Sequence, residues 1–161
     1  MSTGATDIKG TNSEQLKILL AEDDKDDQEL FKDALNETGL KVELTATSDG
    51  QELIDSLKDP ATPDPDIVFV DINMPVKNGL QAVAEIKSDP ELKDIPTVVM
   101  STSDNLQGIR KSFEAGADLY IQKPTSFRNF IILLQKVFSL HWAGRLIRNT
   151  WDRFFVSERH R

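Results

Sequence analysis

Cysteine is absent from this 161-residue chain, and so are long apolar runs. Without cysteine, disulfides and thiolate metal sites are excluded. No apolar run approaches the ~20 residues of a membrane-spanning helix, and the N-terminus lacks the charged-then-apolar order of a signal peptide. The composition therefore predicts a soluble, cytoplasmic protein without membrane contacts, and the length suits one domain with a short appendage.

Positive charge is scarce in the body of the chain. The formal net charge is −8; residues 1–140 carry 14 Lys and Arg against 25 Asp and Glu, whereas residues 141–161 carry five Arg against two acidic residues. Contacts with nucleic-acid phosphates require clustered Lys and Arg. The acidic body therefore argues against nucleic acid as a partner, and the basic C-terminal end is a separate feature.

Short apolar runs alternate with segments of helical spacing from Leu16 to Leu140. Runs such as IVFV and IPTVVM are typical of central parallel strands. Five such βα repeats predict an α/β fold, a doubly wound parallel sheet covered by helices on both faces. The flavodoxin-like strand order 2-1-3-4-5 and a truncated dinucleotide-binding fold both fit this pattern. The expected divisions are a flexible leader (1–15), one domain (16–140) and a C-terminal extension (141–161).

Acidic, hydroxyl and ammonium groups follow the predicted strands where each strand ends. Parallel strands bring their carboxyl ends to one edge of the sheet, where ligands bind in such folds. Asp71 ends the run that should be most buried, where an unpaired charge is costly, whereas Asp24 is better explained as a helix N-cap. The residues expected at this edge are Glu22, Asp23, Asp24, Asp71, Ser101, Thr102 and Lys123.

Several carboxylates at one edge repel one another unless positive charge neutralises them. Two like charges ~4 Å apart repel by about 4 kcal/mol at an effective dielectric constant near 20. One lysine cannot neutralise three carboxylates, and a set of oxygen ligands favours Mg²⁺ over zinc. A carboxylate beside Mg²⁺, a lysine and a hydroxyl also suits a phosphoryl group, with Asp71 as the nucleophile.

Four sequence pieces resemble the receiver domain of bacterial two-component response regulators: ILLAEDD, IVFVDINMPVKNG, VVMS and GADLYIQKP. The resemblance covers Lys17 to Leu140 and implies the flavodoxin-like (βα)5 fold. It also implies that a sensor histidine kinase or a histidine phosphotransfer protein is the phosphodonor. The segments SDPELKDIP and AEDDKDD resemble small stand-alone regulators associated with bacterial phytochrome kinases.

The resemblance assigns a role to each matching residue. It implies that Asp71 is the phosphoacceptor, that Ser101 and Lys123 contact the phosphoryl group, and that Ser101 and Tyr120 form the conformational switch. It further implies a cis bond between Lys123 and Pro124. The implied Mg²⁺ site comprises Asp71, Asp23 as a direct ligand, Glu22 largely through water, and the backbone carbonyl of Asn73.

One position departs from the family pattern. Alanine often follows the switch hydroxyl in the family, whereas this chain has Thr102. A β-branched side chain at this position is expected to slow phosphotransfer or dephosphorylation without abolishing either.

The C-terminal extension is aromatic and basic, and it has three competing interpretations. The favoured one is an extended fifth helix whose apolar side mediates homodimerisation. The alternative dimer surface is the face formed by the fourth helix, fifth strand and fifth helix. The second is a segment folded back on its own domain, and the third is a contact with a membrane surface or nucleic acid. The extension is too short for a DNA-binding output domain, so none is expected.

Two other functional classes compete with a receiver. A phosphohydrolase that forms an aspartyl phosphate usually carries a second carboxylate two residues after the nucleophile, where this chain has Asn73. A nucleotide-binding module requires a Gly-rich loop after the first strand, where this chain has AEDDKDD. Both classes are therefore less favoured than a receiver.

Overall fold

Five βα units form the body of the molecule. The computed structural model describes residues 15–72, 74, 77–141 and 150–158. The elements are β1 (Leu16–Ala21), α1 (Lys25–Asn36), β2 (Val42–Thr47), α2 (Gly50–Lys58), β3 (Ile67–Asp71), α3 (Gly79–Ser88), β4 (Thr97–Ser101), α4 (Leu106–Glu114), β5 (Leu119–Gln122), α5 (Phe127–His141), α6 (Trp151–Phe154) and β6 (Phe155–Val156).

The strands form one parallel sheet in the order β2-β1-β3-β4-β5-β6. Its first five strands have the predicted order 2-1-3-4-5, so the flavodoxin-like fold is confirmed and the truncated dinucleotide-binding fold is excluded. Every residue of β3 and β4 is buried, as expected for central strands covered by helices on both faces.

An apolar core lies on each face of the sheet. On one face, α1 and α5 pack together, and Phe31 contacts Phe69 and Phe130 edge to face at centroid distances of 5.1 and 5.9 Å. On the other face, α2, α3 and α4 bury side chains that include Leu53 and Ile86. The two cores cover the strands on both faces and thereby fix the positions at which the loops leave the carboxyl ends of the strands.

Side-chain caps start the helices directly after the strand ends. The Asp24 carboxylate accepts a hydrogen bond from the Asp27 amide at 3.0 Å, so its predicted N-cap role is confirmed. Asp49 caps α2 in the same way, and Asn78 forms a capping box with Gln81 at the start of α3. The short connection between β1 and α1 keeps Glu22 and Asp23 close to the sheet edge.

The described part of the C-terminal extension folds back on the domain, and the predicted extended fifth helix was wrong for these residues. Helix α5 is described as far as His141, and β6 pairs in parallel with β5 through Tyr120–Phe155 and Ile121–Val156. Phe154 and Val156 are buried by this return. Burying these side chains on the free edge of β5 removes apolar surface that a protruding helix would leave in water.

No helix within the described ranges has both the length and the apolar character needed to cross a bilayer.

Candidate functional site

Three carboxylates converge at the carboxyl edge of the sheet. Because β1 pairs with β3, with Ala21 opposite Val70, the residues that end these two strands are neighbours. Glu22, Asp23 and Asp71 each place an oxygen within 4.8 Å of the others. This convergence was predicted, and a set of carboxylate oxygens fits a hard divalent cation.

Lys123 reaches the same cluster from the end of β5. Its Nζ lies 2.8 Å from Glu22 Oε1 and 3.9 Å from Asp71 Oδ2. A single ammonium therefore serves two carboxylates, and the third, Asp23, is exposed to solvent. The cluster thus holds more carboxylates than ammonium groups, and this imbalance favours the binding of a cation.

Burial is the main influence on ionisation at Glu22, which is 2% exposed. Burial raises the pKa of Glu22 to about 7; Lys123 opposes this shift, and the neighbouring Asp71 adds to it. Burial alone would lower the pKa of Lys123, but the hydrogen bond to Glu22 and the attraction of Asp71 outweigh it, so the Lys123 pKa is raised. Lys123 thus remains a cation at neutral pH, whereas Glu22 lies near its titration midpoint.

Ser101 ends β4 beside the acidic cluster. Asp71 pairs with Met100, so Ser101 lies one residue further along the neighbouring strand, and it is buried. Its Oγ accepts a hydrogen bond from the Ser103 amide at 3.1 Å. The predicted hydroxyl is therefore at the same sheet edge as Asp71.

Tyr120 is turned into the protein. The side chain is 1% exposed, and its hydroxyl donates a hydrogen bond to the Ser103 carbonyl at 2.8 Å. Burial raises the pKa of Tyr120 although a hydrogen bond with Ser101 opposes the shift. Tyr120 is thus connected to the loop that follows Ser101.

The described residues between Asp71 and α3 make close backbone contacts. A Cβ on Gly79 would lie 2.3 Å from the Asp71 carbonyl oxygen, so only glycine fits there. The Gly50 amide donates to the Lys77 carbonyl at 3.1 Å, which joins Lys77 to the start of α2. The predicted ligand Asn73 lies outside the described residues.

Two further expectations concern the ends of β4 and β5. The implied cis bond was wrong, because the peptide bonds among the described residues include no cis bond and Lys123–Pro124 is therefore trans. Thr102 is exposed, and its carbonyl accepts a hydrogen bond from Gln122 Nε2 at 3.2 Å. Its expected influence on phosphorylation stays a prediction.

Two site-supporting residues were missed by the sequence analysis. The Gln28 side chain donates to the Glu22 carbonyl, and Ser103 connects Ser101 to Tyr120. Gln28 comes four residues after the N-cap Asp24, a helical spacing that returns it to the face above the cap. Ser103 carries no comparable sequence signal.

Comparison with known proteins agrees with this geometry. The chain is 32% identical to the response regulator Rcp1 of Synechocystis sp. over 124 residues, 74% of this chain and 84% of that protein. It is 35% identical over 114 residues to protein PilG of Pseudomonas aeruginosa, covering 71% of this chain and 81% of PilG.

Solved structures of similar proteins include a phytochrome response regulator and a metal-bound response regulator. The phosphorylated cyanobacterial phytochrome response regulator RcpA has a TM-score of 0.73 and 33% identity, covering 81% of this chain and 96% of RcpA. The Mn²⁺-bound form of Rcp1 has a TM-score of 0.70 and 30% identity, covering 83% of this chain and 99% of Rcp1. The family model of the response regulator receiver domain matches residues 18–135. The chain therefore belongs to the response regulator receiver family and is akin to its phytochrome-associated members.

Proposed function

We propose that this chain accepts a phosphoryl group on Asp71 from the phosphohistidine of a sensor histidine kinase or a histidine phosphotransfer protein. The observation that carries the proposal is the convergence of Glu22, Asp23, Asp71 and Lys123 at one sheet edge. Membership of the receiver family supports the same function.

The transfer forms one bond and breaks one. A carboxylate oxygen of Asp71 attacks phosphorus, the P–N bond of the phosphohistidine breaks, and its electron pair stays on the imidazole nitrogen of the donor. Water later attacks the phosphorus of the aspartyl phosphate, the acyl P–O bond breaks, and inorganic phosphate leaves the restored carboxylate. Lys123 Nζ, 3.9 Å from Asp71 Oδ2, is within reach of the phosphoryl oxygens.

Mg²⁺ is the proposed cofactor. Glu22, Asp23 and Asp71 would hold it together with the Asn73 backbone carbonyl, and their oxygen-only donor set fits a hard cation. The existence of a Mn²⁺-bound form of the similar protein Rcp1 supports divalent-metal binding by this chain. When bound, the metal ion neutralises charge on the transferring phosphoryl group.

Ser101 and Tyr120 are the proposed switch. Phosphorylation adds about −1.5 to −2 charges and new acceptor oxygens, toward which the Ser101 hydroxyl turns. In this proposal Tyr120 points inward when Asp71 is phosphorylated. The surface formed by α4, β5 and α5 changes when Tyr120 turns.

The proposed output is protein–protein interaction rather than DNA binding. The chain covers 84% of Rcp1 and 96% of RcpA, which supports a single-domain regulator. The net charge of −8 disfavours nucleic acid as a partner. Homodimerisation and a cytoplasmic location are part of the proposal.

Substitution of the phosphoacceptor tests the proposed function. We expect Asp71→Asn to abolish labelling by a ³²P-labelled phosphodonor such as acetyl phosphate, because an amide oxygen is a poor nucleophile. Asp94→Asn, an exposed position before β4, is the matched control and should label as the wild type does. Undiminished labelling of Asp71→Asn would refute the assignment. Turnover of a generic phosphate ester should be negligible, which separates a receiver from a phosphohydrolase.

A further inference from the structure

We propose that residues 150–158, hereafter the return segment, position the phosphoacceptor site by holding Tyr120 inward. The inference rests on the proposed function and extends it to a part of the chain that the family match, which ends at residue 135, does not include.

The return segment packs its aromatic side chains on Tyr120. Phe154 is fully buried, with its ring centroid 6.4 Å from that of Tyr120 and 5.1 Å from that of Phe113 on α4. Phe155 lies 5.8 Å from Tyr120 on the same side of the sheet. The two phenylalanines therefore close the space beside Tyr120 that would otherwise open to solvent at the edge of β5.

Contacts on three elements hold the return segment in place. Strand β6 pairs with β5, and Val156 is buried in the core on the opposite face of the sheet. The Arg110 guanidinium of α4 lies 4.6 Å from the Trp151 ring centroid, a cation–π geometry. From α5, Asn129 Nδ2 donates to Glu158 Oε1 at 2.7 Å. The segment is thus attached to α4, β5 and α5 together.

A chain of hydrogen bonds leads from Tyr120 to the phosphoacceptor edge. The Tyr120 hydroxyl donates to the Ser103 carbonyl at 2.8 Å, and the Ser103 amide donates to Ser101 Oγ at 3.1 Å. Displacement of Tyr120 would release the Ser103 carbonyl and, through the Ser103 backbone, loosen the amide that orients Ser101. The return segment therefore reaches Ser101 through two residues, although no residue of the segment touches the site.

The coupling has a definite direction. Outward rotation of Tyr120 requires Phe154 and Phe155 to move, so the docked segment favours the inward position. In the proposed cycle that position accompanies phosphorylation. By linkage, docking strengthens the binding of a phosphoryl group or its mimic by the same factor by which the mimic strengthens docking.

Beryllofluoride binding to the full-length chain in Mg²⁺ tests the coupling. We expect Phe155→Ala to weaken beryllofluoride binding roughly five- to twentyfold, within the usual range of such couplings, and Phe155→Leu to restore most of it. In the wild type, beryllofluoride should slow amide hydrogen exchange of the return segment by a similar factor. Leu30→Ala removes an apolar side chain from α1 that is 43% exposed, and as the control it should change neither quantity.

A double-mutant cycle distinguishes positioning from general stabilisation. If the coupling runs through Tyr120, Phe155→Ala causes no further loss of affinity in a Tyr120→Ala background. Unchanged beryllofluoride affinity of Phe155→Ala, or an equal loss in both backgrounds, would overturn the inference. Failure of the wild type itself to bind beryllofluoride would instead overturn the proposed function.

Discussion

At the scale of single residues, Glu22 combines three features of the candidate site. It is buried, it accepts a hydrogen bond from Lys123 at 2.8 Å, and it shares a cluster with Asp71. Ionised Glu22 is costly there because burial outweighs the favourable contact with Lys123. A bound Mg²⁺ would offset this cost, since a metal ligand must be ionised.

The raised pKa of Glu22 predicts a pH-dependent affinity for Mg²⁺. With its pKa near 7, Glu22 is mostly protonated at pH 6 and mostly ionised at pH 8, so apparent Mg²⁺ affinity should rise about tenfold over this range, with proton release. Without metal, the contribution of Glu22 to folding stability depends on pH in the opposite direction. The folded state binds the proton more tightly than the unfolded state, so this contribution to stability is lost as pH rises through about 7.

Calorimetric Mg²⁺ titrations at pH 6, 7 and 8 measure this dependence. Glu22→Gln is the control, and its profile should be nearly flat because the titrating group is gone. A wild-type profile as flat as that of Glu22→Gln would contradict the prediction.

A second prediction at residue scale concerns two glycines. A Cβ on Gly79 would meet the backbone of Asp71 and Ile72 at 2.3 and 2.7 Å, whereas a Cβ on Gly108 in α4 meets nothing within 4 Å. Gly79→Ala should lower the free energy of unfolding by about 2 kcal/mol or more through overpacking. Gly108→Ala should leave it unchanged or raise it by up to about 1 kcal/mol. Urea unfolding of both variants checks this, and equal stabilities would contradict it.

At the scale of elements, a largely buried ion pair stabilises the end of the sheet opposite the site. Lys87 Nζ at the end of α3 lies 2.8 Å from Asp118 Oδ2 and 2.8 Å from the Ile95 carbonyl. The same Asp118 oxygen accepts the Thr97 amide, which begins β4. One cluster therefore joins α3 to the starts of β4 and β5.

Removal of the ammonium should be costly because Asp118 stays behind. We expect Lys87→Met to lower the free energy of unfolding by about 3 kcal/mol, since a largely buried carboxylate loses its counter-charge. Lys58→Met is the control: Lys58 is 52% exposed and lies 3.6 Å from Glu85, so its loss should cost less than about 1 kcal/mol. Urea unfolding measures the free energy of unfolding of both variants. Similar losses in the two would show that the Lys87–Asp118 pair does not stabilise this end of the sheet.

At the scale of the whole molecule, the return segment changes which surface is available to a partner. It occupies the edge of β5 and contacts Phe113 and Arg110 on α4. Part of the proposed dimer face is thus covered by the chain itself. Helix α5 still presents Ile132 and Leu140, which are 51% and 43% exposed.

The proposed homodimer should therefore depend on α5. We expect Ile132→Glu to shift the chain from dimer to monomer, because a charge at the centre of an apolar contact loses its hydration. Light scattering after size exclusion measures the mass. Leu30→Glu on α1, a residue 43% exposed, is the control and should leave the mass unchanged. A wild-type chain that is monomeric at high concentration would contradict the prediction.

The fold and most of the site were predictable because their signals are local. Apolar runs define strands, and the residue after each run marks the sheet edge, as for Asp71 and Lys123. Glu22, Asp71 and Lys123 were brought together as predicted. The folding back of residues 150–158 on the domain was not the favoured interpretation. An aromatic and basic segment is as typical of an exposed amphipathic helix as of a docked strand.

The sequence by itself determined the α/β class and the residue types at the carboxyl edge of the sheet, because periodicity and strand ends are properties of neighbouring residues. Only the tertiary structure decided how far Glu22 is buried, where Tyr120 points and what covers β5. Those features depend on contacts between Tyr120 and Phe155 and between Glu22 and Lys123, which are distant in the chain. Their energies come from burial and packing, which no local pattern encodes.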